Sequence, residues 1–142
     1  MKKKPSLKSL KNKAWKLCSE YVRRKDADEG GTVRCYTCGE LMFWKESHAG
    51  HAIPGRHNAV LLDVDIIRPQ CPRDNIFMGG RYEIFAAKLI RENGLEWFEQ
   101  KLIAARQAVK ISRTDYEEKI GHFKQLLAEL DNRDKACMVE AA

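Results

Sequence analysis

The chain has 142 residues, 44% hydrophobic and 32% charged, which suits one modest globular domain and excludes both a wholly disordered chain and two comfortable domains. No stretch approaches the roughly 20 apolar residues of a membrane span. The N-terminal lysines lead into no apolar segment, so a secretory signal is not read there and a cytoplasmic setting is expected. Charge is concentrated: residues 1–25 hold ten Lys or Arg against a single acid, Glu20, so this segment carries +9 and the remainder −3 of the net +6. Such a segment has two readings. One is a polyanionic partner, most often nucleic acid, bound with counterion release; the other is a solvated helix face with a charged tail. Five cysteines in a cytoplasmic setting read as metal ligands plus thiols rather than a disulfide framework.

In chain order, Ser6 can cap a helix running to about Lys25, with Leu7, Leu10, Ala14, Leu17, Cys18 and Tyr21 at helical spacing. Cys18 on that stripe is read as a small buried hydrophobe. Gly30 and Gly31 break the helix. The stretches T-V-R-C-Y and L-M-F-W read as strands around a Cys35/Cys38 turn, H-A-G-H-A-I-P-G-R-H-N as a loop, and A-V-L-L-D-V-D-I-I as a strand. A helix starting near Asp74 or Gly79 is expected to run to Gly94, a good C-terminal glycine, and L-E-W-F-E-Q-K-L-I-A-A-R-Q-A supports another. The last helix has Thr114 and Glu117 at capping-box spacing. Its Tyr116, Ile120, Phe123, Leu127 and Leu130 form an apolar seam for a second helix. Packing on the N-terminal helix is favoured over packing on a second subunit. The tail A-C-M-V-E-A-A is expected to fray, with Cys137 not a metal ligand.

The central stretch carries the chemistry. Cys35 and Cys38 have the C-x-x-C spacing that lets two thiolates grip one zinc ion. The segment Q-C-P-R-D-N places Cys71 where a second knuckle is expected, but with one cysteine. Either Asp74 takes the fourth place or the metal has been lost. The 32 residues between Cys38 and Cys71 have room for a β-hairpin and hold three of the four histidines, His48, His51 and His57. A histidine cluster bracketed by metal-type cysteines points to a functional site.

C-Y-T-C-G, H-A-G-H-A-I-P-G-R, Q-C-P-R-D-N and G-G-R-Y together resemble the NinG/Rap family of phage recombination endonucleases. The resemblance covers roughly residues 6–130 and extends to the wider HNH, or ββα-metal, nucleases such as the junction-resolving endonuclease VII. It implies an α+β fold: one domain over 1–142, with a basic N-terminal helix over 6–25, a zinc-binding HNH-like nuclease core over 32–93 and C-terminal helices over 95–135. It further implies that Cys35, Cys38 and Cys71 bind structural zinc. His51 is the implied general base, and Asn75 helps hold a catalytic Mg²⁺ or Mn²⁺. His48 stands where relatives often have Asp and is assigned to that ion or to orienting His51. A neutral imidazole can take a proton from water near neutral pH, and a divalent ion stabilises charge on a phosphate.

The chain departs from the family at several positions. Asp74 replaces the fourth cysteine; a carboxylate is an accepted zinc ligand and C-x-x-D keeps the reach of C-x-x-C, so a Cys₃Asp site is expected. The bland alternative makes Asp74 the N-cap of the following helix. Arg81 replaces a turn Asn, and Ile66 and Arg68 stand where relatives have Asn-x-His. Arg56, Arg68, Arg73 and Arg81 around the site, with Lys8 and Lys11 on the basic helix, are the expected DNA contacts. Trp15, Trp44 and Tyr36 are stacking surfaces or core. The expected activity is metal-dependent, structure-selective cleavage of branched DNA such as Holliday junctions and D-loops, in a bacterial or phage-infected cell close to the nucleoid. It predicts an exposed His51 beside a second metal position, and a twofold substrate favours a homodimer. The competing expectations are a non-catalytic zinc-knuckle protein that binds duplex or branched DNA, and a zinc-stabilised protein–protein adaptor.

Overall fold

Ser6 starts the first helix: its hydroxyl accepts the Ser9 N–H at 3.1 Å, which satisfies one of the donors a helix start leaves open. Helix α1 spans Leu7–Arg24 and buries Leu10, Ala14, Cys18 and Val22, one residue per turn on one face. The computed structural model describes residues 1–55 and 57–140, so Arg56, an expected DNA contact, lies outside the described residues. Burial pushes the Cys18 thiol up to about 12, and this cysteine behaves as core.

The face of α1 is covered from one side by the last helix, α5 (Arg113–Glu140), through Tyr116, Ile120, Phe123, Leu127 and Leu130. All five seam positions are buried, and their partner is the helix of the same chain. The two helices run parallel. Arg113 donates to the Pro5 carbonyl at 2.6 Å at one end; at the other, Arg24 donates to Asp131 at 2.8 Å and Asp134 at 3.0 Å, and Arg133 to the Lys25 carbonyl at 2.8 Å. The cap of α5 differs from expectation. Ser112 and Asp115 exchange side-chain-to-N–H bonds at 3.1 Å each, so the box lies two residues earlier than Thr114 and Glu117. Nor does the tail fray within the described residues, since α5 continues through Glu140.

Two small antiparallel sheets fill the middle of the chain. Strands β1 (Thr32–Arg34) and β2 (Leu41–Phe43) pair Val33 with Met42 around the first cysteine turn. Strands β3 (His48–His51) and β4 (Ile67–Gln70) pair His48 with Gln70 and His51 with Ile67. The H-A-G-H segment is therefore a strand and not a loop. Its Gly50 is there for contact, because a Cβ would fall on the Gln70 side chain. The expected strand over A-V-L-L-D-V-D-I-I is instead a short helix, α2 (Asn58–Leu61), then a 3-10 turn over Val64–Ile66, and extends only from Ile67. Val60, Leu61 and Leu62 are all buried, and a continuous apolar run does not separate helix from strand by its period. The Asp63 side chain accepts the Asp65 N–H at 3.1 Å and sets the 3-10 turn.

Past Cys71 the chain makes one wide π-type turn, Arg73–Phe77, and then breaks. Gly79, Gly80 and Arg81 all take positive φ, so no helix starts at Asp74 or Gly79; α3 spans Tyr82–Asn93 and ends at Gly94 (φ 97). Helix α4 spans Leu95–Ala105. Phe85, Leu89 and Phe98 join the same core as Ile66, Ile67 and Phe123. Among the described residues no helix is long and apolar enough to cross a membrane.

Phe123 is almost fully buried at the seam. Phe123→Ala is expected to cost about 3–5 kcal/mol in denaturant unfolding; a loss under about 1 kcal/mol would mean that the helix pair contributes little. At the other end, burial pushes the Asp134 carboxyl up, but Arg133 and Arg24 outweigh it and hold it below its ordinary 3.8. A depressed carboxylate stabilises the fold above its unfolded value, and that contribution is lost as pH falls through the folded value. Asp134→Asn should therefore be less stable than wild type at about pH 6, with the gap closing as pH falls below the ordinary carboxylate value and through the depressed folded one. Parallel stability curves across that range would show the pairing to be inert.

Candidate metal knuckle and adjoining basic cleft

The first knuckle follows from a tight turn. Gly39, at φ +80, donates to the Cys35 carbonyl at 2.9 Å, and Cys35 donates to the Glu40 carbonyl at 2.8 Å. This brings the Cys35 and Cys38 thiols to one side of the β1–β2 hairpin. The second knuckle is the turn after β4, where Asn75 donates to the Cys71 carbonyl at 3.0 Å and the Asp74 N–H faces the Cys71 sulfur at 3.4 Å. Tyr36 donates to the Pro69 carbonyl at 2.9 Å, holding the two knuckles against each other.

The result is a cluster in which one donor atom from each of Cys35, Cys38, Cys71 and Asp74 lies within 4.8 Å of the others. Two edges are tight: Cys38 Sγ to Cys71 Sγ is 3.7 Å, and Cys35 Sγ to Asp74 Oδ2 is 3.9 Å. Four ligands at about 2.0–2.3 Å from a tetrahedral zinc lie about 3.3–3.8 Å apart. The four donors are close enough to hold a metal ion, and three thiolates with a carboxylate suit zinc.

Asp74 is 1% exposed, and its surroundings explain how a carboxylate sits there. Thr37 donates to Oδ2 at 2.6 Å, while Arg73 Nε at 3.3 Å and Arg81 Nε at 3.6 Å face Oδ1. Burial raises its pKa, yet the Thr37 hydroxyl and Arg73 hold it below the usual carboxylate range. The N-cap reading does not hold, because Asp74 sits inside the π-turn, eight residues before α3, and makes no cap bond. Burial likewise raises the Cys35 thiol, but the Thr37 hydroxyl and backbone N–H groups bring it to about 7. Cys38 is pushed up to about 11, by burial and by its neighbours Cys35 and Cys71. Of these two thiols, Cys35 is the readier to ligate.

Beside the knuckles opens a cleft of about 550 Å³ that brings together His48, His51 and Asn75. β3 supplies both histidines and the π-turn supplies the asparagine. Asn75 Nδ2 lies 3.1 Å from His48 Nδ1. His51 is 9% exposed, not open as expected, because the Trp15 ring of α1 stacks on it at 4.9 Å. His51 Nε2 lies 3.0 Å from the Leu61 carbonyl. A carbonyl only accepts, so Nε2 carries a proton. Arg23 and Lys45 also line the cleft, and no carboxylate does so among the described residues.

The other expected contacts are dispersed. Arg68 donates to the Val64 and Ile67 carbonyls at 3.1 and 2.9 Å and lies over the Tyr36 ring. Arg73 and Arg81 flank Asp74. Lys11 donates to Asn58 at 2.7 Å and, with His57, lines a separate cleft of about 700 Å³; Lys8 is exposed nearby on α1. Tyr36 packs on Phe85 and donates to Glu92, and Trp44 lies under Arg23 and Arg24.

The family model described as Bacteriophage Lambda NinG protein matches residues 1–134. The chain belongs to the NinG family. The match takes in α1, both knuckles, the cleft and most of α5. No curated protein and no solved structure gives a match. Sequence reasoning missed Thr37, Arg23, Lys45 and Tyr82. Only Thr37 carried a signal, as a hydroxyl inside the C-x-x-C turn.

Wild-type protein is expected to carry about one zinc ion per chain. Asp74→Ala should weaken zinc binding by more than the roughly 10–100-fold that loss of a supporting residue costs, and Asp74→Cys should keep the stoichiometry. Chelator competition reads both, and unchanged affinity in Asp74→Ala would remove the carboxylate from the ligand set.

Proposed function

We propose that this protein is a metal-dependent, structure-selective DNA endonuclease of the HNH, or ββα-metal, type that cleaves branched recombination intermediates such as Holliday junctions and D-loops. The observation that carries the reading is the convergence of His48, His51 and Asn75 on one basic cleft against the Cys₃Asp cluster. Family membership and the basic α1 support it.

In this reading β3, β4 and the π-turn that leads on to α3 form the ββα unit, and structural zinc fixes the turn to the hairpin. Arg23 and Lys45 draw the phosphodiester into the cleft. The Leu61 carbonyl fixes the His51 tautomer so that Nδ1 takes the proton from the attacking water. The Trp15 ring face then favours the imidazolium that forms. His48 and Asn75 are the residues that would hold Mg²⁺ or Mn²⁺, which supplies Lewis-acid stabilisation of charge on the phosphate and the leaving oxygen. An imidazole and an amide oxygen suit an ion that takes its remaining oxygens from phosphate and water. A four-way junction, being twofold, would take two copies of the chain.

A non-catalytic DNA-binding zinc module is the second reading, favoured by the absence of a described carboxylate in the cleft and by the burial of His51. Labelled four-way junctions, splayed arms and linear duplex, incubated with Mg²⁺, Mn²⁺ or EDTA, separate the two. The nuclease reading expects metal-dependent cutting of the branched substrates, reduced about 100-fold or more in His51→Ala while binding persists. Tight binding with no cutting under any ion would sink it.

A further inference from the structure

The turn that supplies Asp74 and Asn75 also carries three consecutive apolar side chains that nothing covers. Phe77 is 80% exposed, Ile76 58% and Met78 45%. Side chains of this kind normally find cover unless they serve as a contact. Here the backbone denies it to them. The turn is held by Met78 N–H to the Arg73 carbonyl at 2.8 Å and by Gly80 N–H to the Asp74 carbonyl at 2.8 Å. It leaves through Gly79 and Gly80, at φ +67 and +92, and the buried Gln70 amide donates to the Gly80 carbonyl at 2.9 Å. Asp74, inside the metal cluster, anchors the base. The apolar tip is therefore mounted on a loop fixed at its base by backbone and side-chain hydrogen bonds.

Its neighbours indicate what it meets. Arg73 and Arg81 stand at the two ends of the segment, their charges shared with a single buried carboxylate. Asn75, directly before Ile76, lines the basic cleft together with the exposed Tyr82. An apolar tip between arginines, beside a cleft that suits a phosphate, matches the surface of nucleic acid, with charge outside and apolar base faces within. A second copy of this chain fits less well. Three side chains expose less than the roughly 800 Å² per partner that a standard protein interface buries, and the flanking arginines would face their own equivalents.

We infer that Ile76, Phe77 and Met78 form a wedge that inserts between unstacked bases at the branch point of the DNA held by the cleft. Apolar wedges of this type part base steps in distorted DNA. The energy needed to open a stack is least where pairing is already interrupted, so a rigid wedge beside the cleft prefers a branch to a continuous duplex without reading sequence. The inference rests on the nuclease reading for its choice of DNA, and supplies the structure selectivity that this reading requires.

The experiment uses full-length, zinc-loaded protein and a four-way junction carrying 2-aminopurine at the branch, with Ca²⁺ replacing Mg²⁺ to prevent cutting. A linear duplex with the same label serves as control. Wild type should raise the junction fluorescence several-fold and leave the duplex unchanged. Phe77→Ala should abolish the rise and weaken junction binding about tenfold, with duplex binding, zinc content and unfolding midpoint unchanged; Phe77→Leu should restore most of the rise. An undiminished rise in Phe77→Ala overturns the wedge, as does wild type that fails to bind the junction or binds it without a rise. A shift from dimer to monomer in Phe77→Ala with the fluorescence intact also overturns it and assigns the tip to a second copy. Cutting, measured separately with Mg²⁺ and Mn²⁺, tells the two ideas apart. Unstacking without cutting removes the nuclease and leaves the wedge, and cutting without unstacking does the reverse.

Discussion

The whole middle of this molecule is organised by one electrostatic demand. Three sulfurs and a carboxylate from sequence positions as far apart as 35 and 74 are gathered to within 4.8 Å of one another. As anions these groups repel, and at such spacing in a mostly buried site the repulsion is large. Arg73, Arg81 and the Thr37 hydroxyl offset the carboxylate, whereas the sulfurs are met by weaker partners, a hydroxyl and backbone N–H groups. A cation held in the centre would resolve the conflict and turn the cluster into a clamp. The β1–β2 hairpin, the end of β4 and the π-turn all meet at this cluster, and through Asn75 so does one wall of the cleft.

The second organiser is α1. It lies under β3 and β4 as well as against α5, so the helix with the highest positive charge is also the floor of the candidate site. Trp15 and Arg23, on the same helix, reach into the cleft while Ala14 and Cys18 close the core. Basic character and site geometry are thereby coupled, because a helix of the most basic segment also shapes the cleft.

Much of this was legible in the residues. The 4-3-4-3 seam of α5 was read correctly because five apolar positions in one register leave little freedom, and the Cys35 turn because C-x-x-C with a following glycine has few conformations. The failures share a cause, which is that a local signal had two structural solutions and a distant partner chose between them. H-A-G-H reads as a loop until Gln70 is known to occupy the space above Gly50. A-V-L-L-D-V-D-I-I opens on a continuous apolar run whose Val60, Leu61 and Leu62 are all buried, which leaves no period to read. Asp74 suits an N-cap as well as a ligand, and only the approach of Thr37 and two cysteines decides. The histidines and Asn75 were placed at the site by motif resemblance. The cover of Trp15 over His51 had no local signal, since it depends on where α1 docks.

The parallel pairing of α1 with α5 joins segments separated by more than one hundred positions, as the Arg24–Asp131 and Arg113–Pro5 contacts show. Contacts of that span are slow to form, because loop-closure entropy is lost before they give any stability in return. During synthesis α1 leaves the ribosome well before its main helical partner, α5. Throughout that interval its stripe of Leu10, Ala14 and Val22 lacks that cover, on a helix with six basic residues and one acid. The ordering of the knuckles over residues 32–80 then sets how soon the two helices meet. Metal supply during translation would govern the yield of folded protein as well as its final stability.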